Sequence, residues 1–207
     1  MEHLGATARG NVSDTEQSRV LFVCTANQCR SPLGEALLRV QLQTRAPDVV
    51  VDVSSAGVSA TAGTTATSPT IDAASTLRVD LSAHRSVRLV AAQVRAANLV
   101  IGMERRHVQE AVLLDPSAFT RSFTLKELVR RGRAIGRRGY REPLADWTAR
   151  VSAGRRPIDL LGASRDDDID DPTTNPLVAH QSTALEIDDL VGTVVELVWN
   201  PLGLEAL

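Results

Sequence analysis

The sequence predicts an α/β layer fold built on a parallel sheet, and three observations carry that expectation. Short apolar, β-branched runs recur without interleaved polar residues, as strands buried on both faces require. Segments at helical spacing separate them, which is the order of a parallel sheet with right-handed crossovers. At 207 residues with 43% hydrophobic content, the chain can form one sizeable domain, or one with a substantial insertion.

Taken in order, RVLFVC (19–24) is the first strand, and SPLGEALLRVQLQTRA (31–46) the first helix. Pro32 suits the first helical turn, while Leu33, Leu37, Leu38 and Val40 follow a mostly helical spacing. VVVDVS (49–54) is the second strand, and SAGVSATAGTTATSP (55–69) a loop of small residues. A helix is expected from Pro69 to about Arg78, then a turn at VDLSAHRS and another helix over 87–97. ANLVIGM (97–103) is the third strand, and ERRHVQEAVLL (104–114) a helix stopped by Asp115-Pro116. FTRSF (119–123) is a weaker fourth strand, which completes a four-stranded, three-layer arrangement with helices flanking the sheet.

Beyond it, residues 116–165 read as a basic helical insertion: two helices broken near Gly136–Pro143, with Arg130, Arg131, Arg133, Arg137, Arg138 and Arg141 close together. Leu125, Leu128, Val129 and Ile135 can pack its inner side. An acidic, Pro-containing loop follows (SRDDDIDDPTTNP, 164–176), then a last helix over about 178–199 that turns Leu185, Leu190, Val194, Leu197 and Val198 to the core. Residues 1–18 are expected to be a flexible polar leader, with a single domain over 19–207. The formal net charge of −2 gives no global case for a nucleic-acid partner. No apolar run reaches membrane-spanning length, and the leader lacks the apolar core of a signal peptide, so a cytoplasmic location is expected. Two cysteines cannot make a disulfide framework.

Both cysteines fall in one loop, VLFVCTANQCRSPLG (20–34). A strand, a tight loop and a helix N-terminus together form an anion site, because unsatisfied amides converge on one spot and the helix dipole favours negative charge there. Such surroundings stabilise a thiolate at Cys24, at the strand end. Arg30 adds a planar fork for two oxygens of a bound oxyanion. A thiolate nucleophile and an arginine clamp around a tetrahedral anion constitute a phosphatase site. The loop lacks the Gly-Lys-Ser/Thr ending of a nucleotide-binding loop. His3, His107 and His180 are scattered without ligand spacing, so neither a metal nor a cofactor is expected.

VLFVCTANQCRSPLGEALLR resembles the signature of the low-molecular-weight protein tyrosine phosphatases, and the likeness continues through SSAGVSATAG, DLSAHRS, ANLVIGMERRHV and DDIDDP. The resemblance covers about 20–115 and 166–200. It implies a four-stranded parallel sheet and hydrolysis of phosphomonoesters, in a phosphorylated protein or a small molecule, through a phosphocysteine at Cys24. It further implies that Thr25, Ala26, Asn27, Gln28, Cys29, Arg30 and Ser31 form the phosphate-binding loop. Ser31 would donate to the Cys24 thiolate, while Asn27, braced by Ser55 and His84, would hold the loop shape. Asp171, of the Asp171-Pro172 pair, would be the general acid, with Asp170 as the fallback. Cys29 would either pack beneath the loop or trap an oxidised Cys24 as a disulfide.

Three features depart from that pattern. Ala26 stands where the family has glycine, which matters if the backbone there needs a positive φ. The aromatic residues that flank a phosphotyrosine ring are missing, leaving Tyr140 and Trp147 as substitutes and phosphotyrosine less favoured than phosphomonoesters in general. The basic insertion is either a solvated hairpin or a patch for an acidic partner. Two other functions fit the same loop: a thiol-dependent arsenate reductase using an external thiol, and a non-catalytic phosphate-binding module.

Overall fold

The structure, a computed structural model, describes residues 18–199; the predicted leader lies outside them except for Ser18. Four parallel strands form one sheet in the order β2-β1-β3-β4: β1 (Ser18–Cys24), β2 (Val51–Gly57), β3 (Leu99–Gly102) and β4 (Ser122–Thr124). Strand β1 lies in the middle because every second residue is apolar on both faces. Val20, Phe22 and Cys24 enter one core, while Leu21 and Val23 enter the other.

The first face is covered by α1 (Arg30–Arg45), α5 (Leu125–Ile135) and α7 (Leu177–Val198), with α2 (Ser68–Thr76) packed on α7. The other face carries α3 (Ala91–Ala96) and α4 (Arg105–Leu114), which contribute Val94 and Ala111. Helix α6 (Leu144–Ser152) packs against α5 and against a short 3₁₀ turn at Pro116–Arg121. Asp115 stops α4 and caps that turn by accepting the Ser117 amide. No helix among the described residues is long and apolar enough to cross a membrane.

Several expectations shift once packing is considered. Strand β2 runs on through Ser55, Ala56 and Gly57, which had read as loop, because it pairs with β1 as far as Cys24. Only residues 91–96 of the helix expected over 87–97 are helical; the stretch before it instead hydrogen-bonds Gly57 through the Val87 carbonyl and the Leu89 amide. Val40, Ile135 and Leu185 are exposed (39, 41 and 59%). On α7 the core face is Ala184, Ile187, Val191, Val194, Val195 and Val198, a stripe that passes Leu185 by one position.

Residues 116–165 contain β4 and the two helices α5 and α6, separated at 136–143. Their arginines serve the fold. Arg131 donates to the Val151 and Ala153 carbonyls, Arg138 to those of Val198 and Glu142, and Arg130 to Asp167. Arg155 is held between the Phe119 and Phe123 rings and paired with Glu127.

Candidate active site

All four strands point their carboxyl ends the same way, so the loops that follow β1, β2 and β3 meet at one edge. The loop from Cys24 to Arg30 turns its carbonyls outward. Cys24 O accepts from the Val58 amide at 3.0 Å, Thr25 O from Ser59 at 2.8 Å and Gln28 O from Thr67 at 3.2 Å. With the carbonyls so engaged, the amides of Ala26, Gln28, Cys29 and Arg30 donate to no carbonyl among the described residues. Helix α1 starts at Arg30 without a side-chain cap, which leaves its first amides open as well. The result is a run of amides, next to Cys24 in the chain, that no carbonyl among the described residues takes.

Cys24 is buried at the end of β1, and its Sγ accepts from Ser31 Oγ at 2.9 Å and the Asn27 amide at 3.2 Å. Asn27 sits at φ 54°, in the left-handed region that asparagine tolerates. Its Nδ2 donates to Ser31 Oγ at 2.9 Å and Ser55 Oγ at 2.8 Å, and its Oδ1 accepts the Val87 amide at 2.8 Å. Its carbonyl accepts from His84 Nε2 and Ser86 Oγ, both at 2.7 Å. Ala26 does not have a positive φ, so alanine carries no left-handed strain there. The tight glycine is Gly57: a Cβ on it would lie 2.7 Å from both the Asn27 nitrogen and the Thr25 carbonyl oxygen.

The opposite side of the loop is charged. Arg30, 1% exposed, donates through Nη1 to Glu104 Oε1 at 2.5 Å and the Ile169 carbonyl at 2.7 Å, and through Nη2 to Asp171 Oδ2 at 2.5 Å. Its Nε is buried without a partner among the described residues. Burial pushes the Asp171 carboxyl up, but the Thr173 hydrogen bond and the Arg30 charge outweigh it and hold Asp171 below the ordinary carboxylate range. The rest of the acidic run has different duties: Asp167 pairs with Arg105 and Arg130, and Asp168 accepts the Arg105 and Ser164 amides. Asp170 is exposed.

The structure therefore brings Cys24, Asn27, Arg30, Ser31, Ser55, His84 and Asp171 to one edge of the sheet. It also gathers residues that spacing did not reveal. Glu104 stands at the end of β3, where strand order alone would place a side chain beside the β1 loop. Arg106 Nη2 donates to Thr25 Oγ1 at 2.9 Å, and His107 Nε2 lies 3.1 Å from the same hydroxyl. Burial holds the His107 pKa down to about 3, the Glu104 charge opposing, so that the ring is neutral. Cys29, whose thiol burial pushes up, meets Thr70 of α2 and His180 of α7.

Neither proposed aromatic substitute reaches the opening. Trp147 is fully buried, its indole donating to the Gly136 carbonyl at 3.0 Å. Tyr140 is 71% exposed, two residues beyond the Arg138 that bonds the last turn of α7; His180, beside the loop, lies in the first turns of that helix. Among the described residues no group of acids, histidines or cysteines is arranged to hold a metal.

Comparison with known proteins fits this geometry. Residues 19–137 match the family model of the low molecular weight phosphotyrosine protein phosphatases, so that match includes β4 and α5 and leaves 138–165 of the basic stretch outside it. The low molecular weight protein-tyrosine-phosphatase Etp of Escherichia coli is 36% identical over 97 residues, 47% of this chain and 62% of that protein. The protein-arginine-phosphatase of Geobacillus stearothermophilus is 38% identical over 113 residues, 54% of this chain and 71% of that protein. The low molecular weight protein tyrosine phosphatase of T. tengcongensis superposes with a TM-score of 0.65 at 27% identity, over 87% of this chain and 99% of that one. The YwlE arginine phosphatase from Geobacillus stearothermophilus gives 0.63 at 28%, over 86% and 91%. The chain belongs to the low molecular weight phosphotyrosine protein phosphatase family.

Proposed function

We propose that this chain hydrolyses phosphomonoesters through a phosphocysteine at Cys24. The observation that carries this reading is the pairing of the loop: its Cys24, Thr25 and Gln28 carbonyls are taken by residues outside it, its Ala26, Gln28, Cys29 and Arg30 amides donate to no carbonyl among the described residues, and the Ser31 hydroxyl lies on Cys24 Sγ. A phosphoryl group in that cradle would take hydrogen bonds from the loop amides and from Arg30, whose buried Nε lacks an acceptor. Cys24 Sγ attacks phosphorus in line, forming the S–P bond while the bond to the leaving oxygen breaks, and Asp171 gives that oxygen its proton. Water then attacks phosphorus, giving its proton to Asp171, and Cys24 leaves as thiolate. Because Arg30 binds Asp171 in the unliganded site, phosphate must displace that carboxylate, which frees Asp171 to take up the proton it donates.

Assay with p-nitrophenyl phosphate tests this directly. Cys24→Ser is expected to abolish turnover, and Asp171→Asn to lower it by about 10²–10⁴-fold, the range of a lost general acid. Full activity in Cys24→Ser would overturn the reading. Phosphate binding without turnover in the native protein would make it a binding module, and arsenate reduction with a small thiol but no hydrolysis would make it a reductase.

A phosphorylated protein is the natural substrate class, given the relatives. Phosphoarginine, a phosphoramidate in which a guanidino nitrogen takes the place of the leaving oxygen, is favoured beside phosphotyrosine by one observation: residues 59–67 and 173–175 are built from Ser, Thr, Ala, Gly and Asn, and supply no aromatic wall. Parallel hydrolysis of phosphotyrosine and phosphoarginine peptides ranks the two. The acidic-partner reading of the basic stretch finds little support, since Arg130, Arg131, Arg133 and Arg138 all bond within the fold. For Cys29, packing is the better supported role: capture of an oxidised Cys24 would require it to leave Thr70.

A further inference from the structure

Helix α7 follows directly on the loop that carries Asp171, and its fourth residue, His180, is 3% exposed. Nδ1 of that ring lies 3.1 Å from Thr70 Oγ1 and 3.5 Å from Cys29 Sγ. Thr70 in turn contacts Cys29 Sγ, and Thr67 Oγ1 lies 2.8 Å from Thr70 Oγ1. Pro176 directly precedes the helix, so only residues 172–176 separate Asp171 from it. One imidazole thus touches the cradle residue next to Arg30 and the helix behind it, from the first turn of the helix into which the Asp171 loop runs.

We propose that His180, through Thr70 and Cys29, is a positioning residue that registers the Asp171 loop against the phosphate loop. The proposal rests on Asp171 being the general acid. A neutral imidazole has one donor and one acceptor nitrogen. Nδ1 faces the Thr70 hydroxyl and the Cys29 thiol, so one ring atom ties the start of α7, and with it the end of the acid loop, to the cradle. Burial, opposed by the Asp171 charge, pushes the His180 pKa down and keeps the ring neutral. Pro172 is buried, and its carbonyl accepts the Asn175 amide at 2.8 Å, so the loop between Asp171 and α7 has little slack. A small shift at His180 therefore moves Asp171 relative to the leaving oxygen.

The test exploits what a general acid does. Phenyl phosphate has a poor leaving group that needs the proton, whereas p-nitrophenyl phosphate needs it little. The readout is kcat/KM, which reports formation of the phosphocysteine and not its breakdown. His180→Phe, a ring of similar volume without the hydrogen bonds, is expected to lose about tenfold on phenyl phosphate, the worth of about one hydrogen bond, and much less on p-nitrophenyl phosphate. Thr70→Val should shift the ratio in the same direction, and His180→Asn, with a polar atom near the Nδ1 position, should recover part of it. Equal losses on both substrates, or none, in folded His180→Phe and Thr70→Val would overturn the proposal. Asp171→Asn separates the two failures: if it does not change the ratio of the two substrates, the acid assignment itself is wrong.

Discussion

The loop that begins at Cys24 is held by neutral hydrogen bonds on its Asn27 side and by charges on its Arg30 side. Around Asn27, every polar group of the side chain is paired, and the partners are Ser31, Ser55 and the Val87 amide, with His84 and Ser86 on its carbonyl. Around Arg30 the partners are two carboxylates, Glu104 and Asp171, which occupy the cation that an oxyanion would claim. The difference divides the labour. The neutral side fixes the shape of the cradle whatever is bound, because its bonds need no ligand. The charged side is a competition, which an arriving phosphate settles.

Lesions in the two sides should then differ in kind. Asn27→Ala removes three side-chain hydrogen bonds, each worth about 1 kcal/mol, and places alanine in a left-handed conformation that costs roughly 1 kcal/mol more. We expect about 4 kcal/mol of lost stability in urea titration and a fall in kcat/KM of at least about 100-fold, since the amides lose their aim. Gly57→Ala presses a Cβ onto three backbone atoms of the same loop. It is expected to cost about 1–3 kcal/mol, with a loss of activity larger than the loss of stability implies. An unperturbed Gly57→Ala enzyme would show that the cradle does not depend on that close approach.

Perturbing the charged side should leave stability nearly unchanged and move affinity. Asp171 is held below its ordinary pKa while Arg30 binds it; sulfate, a dianion throughout this pH range, takes Arg30 away and lets that pKa rise. Binding is therefore coupled to proton uptake. Sulfate inhibition should tighten as pH falls below the pKa of the complex, by at most about tenfold per pH unit, and level off below the pKa of the free site. Asp171→Asn should flatten the dependence. Smallest is Glu104→Gln, which keeps an acceptor for Arg30 but removes a negative charge. Sulfate should then bind about threefold more tightly, within the range of a partly exposed charge pair.

Much of the site is legible in the sequence because it is local. An apolar strand, a short loop with two cysteines and a helix beginning near Pro32 are contiguous, and contiguity makes the anion cradle readable. Asn27, Ser55 and His84 could be grouped by family likeness. Ser86, Glu104 and Thr70 could not, since each reaches the site only through the order of strands and the packing of α2 on α7. The 87–97 stretch was misleading because its helical spacing competes with hydrogen bonds to Gly57, which hold its first residues extended. Leu185 shows the limit of hydrophobic pattern alone: α7 is apolar on more than one face, and only the sheet decides which face is inward. The acidic run reads as solvent-loving, yet Asp167 is buried between two arginines.

The bonds that Arg138 makes to the end of α7 have a practical consequence. A helix leaves its last four carbonyls without partners, and here the Arg138 amide takes the Leu197 carbonyl at 2.8 Å while its Nε takes that of Val198 at 2.8 Å. The helix end is thus capped by chain that lies sixty residues before it in the sequence. A fluorescent tag or affinity handle joined downstream of Trp199 leaves this cap intact, whereas one inserted between Gly136 and Gly139 would strip the helix end bare.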